Sequence, residues 1–260
     1  MLEKAFLKLG ARVRIEASER IPAPVTIDID RDHRGEFFLL KHSPQSVLDL
    51  TVLNVRPKER HLLLMSRVGK EKQKFLCGHD ERHWFVAAIP ESAPVSNVAQ
   101  AMDALKPQEV REREERSAIR GKDRDRRRNS AFTRQGEWFF VPEPDLRVPE
   151  QLILKGEPLV RSRMGKPHIA EDCYCIGGEF VYVSRLAPEG LTEGVYRQRL
   201  RDDPSARRLT WTTMRRNPRV YVRGRISHPD HQTVVLTQWH RVYMNTETQA
   251  KANAAVVFLD

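Results

Sequence analysis

HLLLMSRVGKEKQKFLCGHDERHWFVAAI, residues 61–89, decides the fold class. Three short apolar stretches, HLLLMS, KQKFLC and HWFVAAI, alternate with polar turns, which is the pattern of strands joined by hairpins. Cys77 to His83 reads as one hairpin loop, with Gly78 and Asp80 tolerating turn geometry. On the N-terminal side VTIDI, EFFLLK and VLDLTVLNV have the same character. Pro57 fixes φ in the loop Arg56–Arg60 that precedes the quoted stretch. The first ~90 residues therefore read as an antiparallel β system. On the C-terminal side Pro94 to Leu105 reads as helix, with Val95, Val98, Met102 and Leu105 three and four apart, and Pro107 closing it.

Residues 109–134 break this pattern, holding ten basic and six acidic residues and almost nothing to bury. Glu112 and Arg116 have helical pair spacing, and Gly121 opens a loop-like run. Low hydrophobicity with high charge places a domain boundary here. The expected organisation is a β-rich domain over 1–108 ending in a helix, a charged linker or partly helical connector over 109–131, and an α+β domain with an arginine-rich surface over 132–260. The mixed signs of the segment favour a solvated connector over a basic arm for nucleic acid.

Strand signals return after the boundary in GEWFFV, LILK, HIAEDCYCI, GEFVYVS, RVYVRGRI and TVVLTQWHRVYM. Gly177-Gly178 and the run His228–Gln232 read as hairpin connections. Thr192 is placed to cap a short helix reaching about Leu200, which Asp202-Asp203-Pro204 closes. The tail from Asn245 reads as helix, then ends in the apolar VVFL, expected to dock as a strand. The fold class is α+β: predominantly antiparallel sheet, few short helices, two domains.

No apolar run approaches the roughly 18–20 residues that span a bilayer. The opening MLEKAFLKLGARVRIE lacks the continuous apolar region of an export signal. Three cysteines, Cys77, Cys173 and Cys175, suit a reducing compartment better than a disulfide framework. A cytoplasmic protein without a membrane partner is expected.

Charge supplies the functional expectation. Ten arginines and only two acids, Asp202 and Asp203, fall within 197–225, a local charge of +8 in a chain of net +10. Such a field selects anionic partners. Strand alternation puts Val220, Val222, Gly224 and Ile226 on one face, and Arg219, Tyr221, Arg223 and Arg225 on the other. Arg197 and Arg201 are four apart on the preceding helix, Arg215 and Arg216 lie in the connection, and Trp239, Arg241 and Tyr243 share parity on the partner strand. Rings interleaved with cations suit single-stranded nucleic acid, because bases stack on rings while guanidiniums hold phosphates. The expectation is a protein binding RNA or single-stranded DNA, or another polyanion, through Arg197, Arg201, Arg215, Arg216, Arg219, Tyr221, Arg223, Arg225, Trp239 and Tyr243. Internal pairing is the competing reading, since residues 135–196 and 226–260 together carry net −5. An adaptor docking an acidic protein partner is a further one.

Three groups offer ligand or catalytic chemistry. Cys77, His79 and His83 supply thiolate and imidazole donors for a metal such as zinc, although no standard ligand spacing is matched. His228, Asp230 and His231 place imidazoles and a carboxylate beside a hairpin, the parts of a metal-dependent or histidine-based phosphodiesterase or nuclease. His168 with Cys173 and Cys175 is a weaker ligand set, and opposite parity separates His168 from Glu171. No phosphate-cradling glycine loop and no nucleophile elbow occurs. No cofactor is expected, with a divalent metal required only by the nuclease alternative.

Overall fold

The computed structural model describes residues 2–19, 21, 25–44, 49–160, 166–249 and 258–259. It is α+β and mostly antiparallel sheet. The chain divides into two units, Met1–Phe139 with Tyr243–Ala254, and Phe140–Val242 with Ala255–Asp260. Among the described residues no helix is long and apolar enough to cross a membrane.

The first unit opens with a helix, α1 (Leu2–Lys8), which turns Ala5 and Phe6 inward. Strands β1 (Val13–Ala17), β2 (Val25–Asp32) and β3 (Gly35–His42) form a sheet in the order β1-β3-β2. Pairing of β1 with β3 is parallel, a local exception to the antiparallel expectation. Strands β4 (Asp49–Arg56), β5 (His61–Val68), β6 (Glu71–Asp80) and β7 (His83–Ile89) form a meander in chain order.

Burial explains why β5 reads as an unbroken apolar run. Leu62 and Leu64 join Phe6, Phe38, Leu40, Phe75 and Cys77 in one core cluster. Leu63 packs on the opposite side with Leu76, Ala87, Val98 and Ala101. A strand covered on both faces has no reason to alternate. The second cover is α2 (Val98–Ala104), capped where the Asn97 side chain accepts the Gln100 N–H at 3.0 Å. The turn expected over Cys77–His83 is only Glu81-Arg82, with Glu81 at φ 51°. Cys77 and His79 are strand residues.

The segment 109–131, expected as a connector, lies within the first unit. It contains all but the first residue of α3 (Gln108–Arg116), whose Val110 and Glu114 are buried. Lys106 Nζ donates to both Glu114 carboxylate oxygens at 3.0 Å and to the Arg124 carbonyl at 2.9 Å. Arg127 pairs with Asp80 and Glu81, tying the loop after α3 to the β6–β7 turn. Mixed charge here serves docking by ion pairs. Strands β8 (Thr133–Gln135) and β9 (Trp138–Pro142) follow.

The second unit contains β10 (Leu154–Leu159), β11 (His168–Ile176), β12 (Glu179–Ser184), β13 (Ala187–Thr192), α4 (Glu193–Asp202), β14 (Thr212–Arg216), β15 (Arg219–His228), β17 (Phe258–Leu259) and β16 (His231–Met244) as far as Val242. Within it β10, β11, β15 and β16 pair in that order, and a second sheet runs β13-β12-β14-β17. β11 and β12 are in different sheets, so Gly177-Gly178 is a crossing point and not the expected hairpin. Hairpin β15–β16 forms as expected, with register shifts between Val222 and Gly224 and between Ile226 and His228. The tail makes a 3-10 turn over Thr246–Gln249, and Phe258-Leu259 pairs with Arg215 and Arg216 of β14. The remainder of the VVFL stretch, Val256 and Val257, lies outside the described residues.

Candidate functional site

The strand face expected to carry stacking rings is not open. Tyr221 and Trp239 are 8% and 5% exposed. β15 is an interior strand with Val220, Tyr221 and Val222 buried in succession, so both of its faces are covered there. Tyr221 lies opposite Tyr174 of β11, ring centroids 6.0 Å apart. Gly224, at φ +84°, sits in a bulge that interrupts the alternation before Arg225. Tyr243 falls in the range of the first unit.

The arginines divide into two groups. Arg223 donates to Asp172 at 2.6 Å and lies 4.8 Å from the Trp239 ring centroid, while Lys155 takes the other Asp172 oxygen at 2.5 Å. Burial favours the neutral form of Asp172, but its bonds to Lys155 and Arg223 more than offset this, so the carboxyl titrates below its usual range. Arg197 pairs with Glu193, Arg199 with Asp203, and Arg216 with Glu179. Internal pairing therefore accounts for part of the positive run. Among the described residues Arg201, Arg207, Arg208, Arg215, Arg219 and Arg225 form no ion pair with a carboxylate. Arg201 bonds to Gln198, and Arg207 to the Leu200 carbonyl.

Two members of this second group converge at the crossing point between the sheets. Arg215 Nη1 donates to the Gly177 carbonyl at 2.9 Å, and its guanidinium lies 4.6 Å from the centroid of the Phe180 ring. Phe180 is the cross-strand partner of Arg215 and is 60% exposed. Arg219 is exposed and starts β15 opposite Ile176; a side chain on Gly177 would come within 3.9 Å of its Nε. The result is two cations and one open aromatic ring around a glycine pair that adds no bulk. Sequence reasoning missed Phe180 because cross-strand register between β12 and β14 leaves no local trace.

The histidines gather differently from the expected groups. Cys77 is fully buried in the core of the first unit, where desolvation pushes its thiol up. His79 packs edge-on against Trp84, and His83 Nδ1 contacts Glu36 at 2.6 Å. Cys173 and Cys175 face one another, Sγ to Sγ 3.8 Å. His168 instead meets His228 and His231: ligand atoms of the three lie within 4.8 Å of one another. His168 opens β11, His228 ends β15 and His231 opens β16. The His168 ring is stacked on His228 at 4.2 Å and on His231 at 5.4 Å. Burial, then the charges of His228 and His231, push the His168 imidazole down to about 3. Asp230 receives Lys166 Nζ at 2.8 and 2.9 Å on its two oxygens, and its own N–H donates to His228 Nδ1 at 3.1 Å.

No family model, curated protein or solved structure matches the chain.

Proposed function

We propose that the second unit binds single-stranded nucleic acid, with Arg215 and Arg219 holding phosphates and Phe180 stacking a base. The observation that carries this reading is the exposed Phe180 ring beside Arg215, with Arg219 across Gly177. Guanidinium forks match phosphate oxygens, and every base offers a face to an open ring. A duplex keeps its bases stacked within, so the ring favours single strands. Exposed Arg201, Arg207 and Arg208 extend the same positive field from α4 and the turn after it.

The test is fluorescence anisotropy with labelled RNA and DNA single strands across a salt series. Affinity falls with rising salt, and Arg219→Ala makes the log–log slope shallower by about 0.7 for each phosphate the variant no longer holds. Phe180→Ala weakens binding by about 5- to 150-fold, from the roughly 1–3 kcal/mol of one stacked base. Salt-insensitive binding, or affinity unchanged in both variants, overturns the reading.

A further inference from the structure

We propose that His168, His228 and His231 form a binding site for a divalent first-row transition ion of the zinc type, with a coordination position left for water or an anionic oxygen. The placement is built into the sheet. His228 and His231 are cross-strand partners at the end of the β15–β16 hairpin, separated by Pro229-Asp230. Ile169 pairs with Ser227, which brings His168 alongside His228 from the neighbouring strand. Three imidazoles, one of them far from the others in sequence, are thus fixed on adjoining strands by backbone pairing rather than by a mobile loop.

Distances and donor chemistry fit such an ion. The three ligand atoms lie within 4.8 Å of one another. A tetrahedral ion with bonds of about 2.0–2.1 Å holds its nitrogens about 3.3 Å apart. The required contraction is at most about 1.5 Å, within the reach of imidazole side-chain rotation about χ1 and χ2. His168 is 2% exposed and anchors the site, while His228 and His231 are half-buried at the hairpin end. The rings stand near parallel, with interplanar angles of 24° and 20° to His168, so binding turns the two hairpin rings until their lone pairs converge.

A supporting contact is already in place. His228 Nε2 lies 3.2 Å from the Lys166 carbonyl, the type of partner to which a ligating imidazole gives its second N–H. That leaves Nδ1 as the metal-facing nitrogen of His228, in exchange for its contact with the Asp230 N–H. The Lys166–Asp230 ion pair braces the hairpin beside it. Three neutral imidazoles suit zinc, cobalt, nickel or copper, whereas calcium and magnesium take oxygen ligands. Structural zinc sites close with four protein ligands, and three is the count of sites that keep an open position.

The test uses tag-free full-length protein. Isothermal titration with Zn2+ and visible absorption on titration with Co2+ are compared for wild type, His228→Gln, His231→Gln and the control His83→Gln, with circular dichroism verifying the fold. One equivalent binds wild type and the control. Each of the two hairpin variants loses more than the roughly 10- to 100-fold that follows from altering a residue that merely supports a ligand. Absence of stoichiometric uptake by wild type, or uptake retained by both hairpin variants, overturns the proposal.

Discussion

Lys106 and Glu114 are charged residues in a place where charge is costly: their side chains are 5% and 0% exposed. Their desolvation is offset by a two-oxygen contact at 3.0 Å, by the Arg124 carbonyl on the ammonium and by Arg124 Nε on the carboxylate at 3.3 Å. Removing Lys106 leaves the buried Glu114 carboxylate with only the longer contact to Arg124 in a low dielectric. Lys106→Met is therefore expected to destabilise the first unit by about 3–5 kcal/mol. The double replacement Lys106→Met with Glu114→Leu recovers much of that loss, because no charge is then left buried. Urea denaturation of the two variants checks both halves. A single variant as stable as wild type shows that the pair contributes nothing. At this scale the sequence misleads, since EVREREER carries no mark of which glutamate is buried. Only the docking of α3 makes Glu114 differ from Glu112 or Glu115.

Gly178 shows what the elements ask of the chain between the two sheets of the second unit. It sits at φ +79°, and a methyl group there would approach the Arg216 carbonyl to 2.8 Å and the Pro218 Cα to 3.0 Å. Both are backbone atoms, which cannot swing aside. Gly178→Ala is expected to destabilise this unit by about 2 kcal/mol or more, combining left-handed strain with the clash. Thermal melting of the variant measures it, and an unchanged midpoint removes Gly178 as a constraint. The strands themselves were legible, because apolar runs bounded by turn residues report local geometry. Their partners were not. Gly177-Gly178 carries a hairpin signal, yet β11 pairs with β10 and β15, and β12 with β13 and β14. Pairing across such distances is set by packing rather than by the turn, and both candidate clusters depend on it. Phe180 meets Arg215 only through β12–β14 register, and His168 meets His228 only through β11–β15 register. The arginine excess was visible from composition. Which arginines stay open was not, because Asp172, Glu179, Glu193 and Asp203 are distributed along the chain.

Across the whole chain, neither unit is one continuous stretch: the first takes Tyr243–Ala254, which lies between the two pieces of the second in sequence. Within that first unit the returning segment makes four hydrogen bonds. Thr246 N–H donates to the Leu105 carbonyl at 3.0 Å and Thr246 Oγ1 to the Ala104 carbonyl at 2.7 Å, satisfying the C-terminal end of α2. The Glu247 carboxylate accepts the Ala88 N–H at 3.3 Å, and the Asn245 N–H donates to the Glu137 carbonyl at 2.9 Å. Each such bond contributes a net of about 0.5–1.5 kcal/mol, so four contribute roughly 2–6 kcal/mol, a large share of the roughly 5–15 kcal/mol typical of a whole domain. A fragment of residues 1–139 is therefore expected to be marginal by itself. Joining residues 243–249 to it through a short glycine-serine linker restores the four bonds, because Asn245 lies within bonding distance of Glu137. Urea midpoints of the two fragments separate the outcomes. A clear rise on adding the segment assigns it to the first unit's stability, while equal midpoints mean that the strands and helices of 1–139 close their own core.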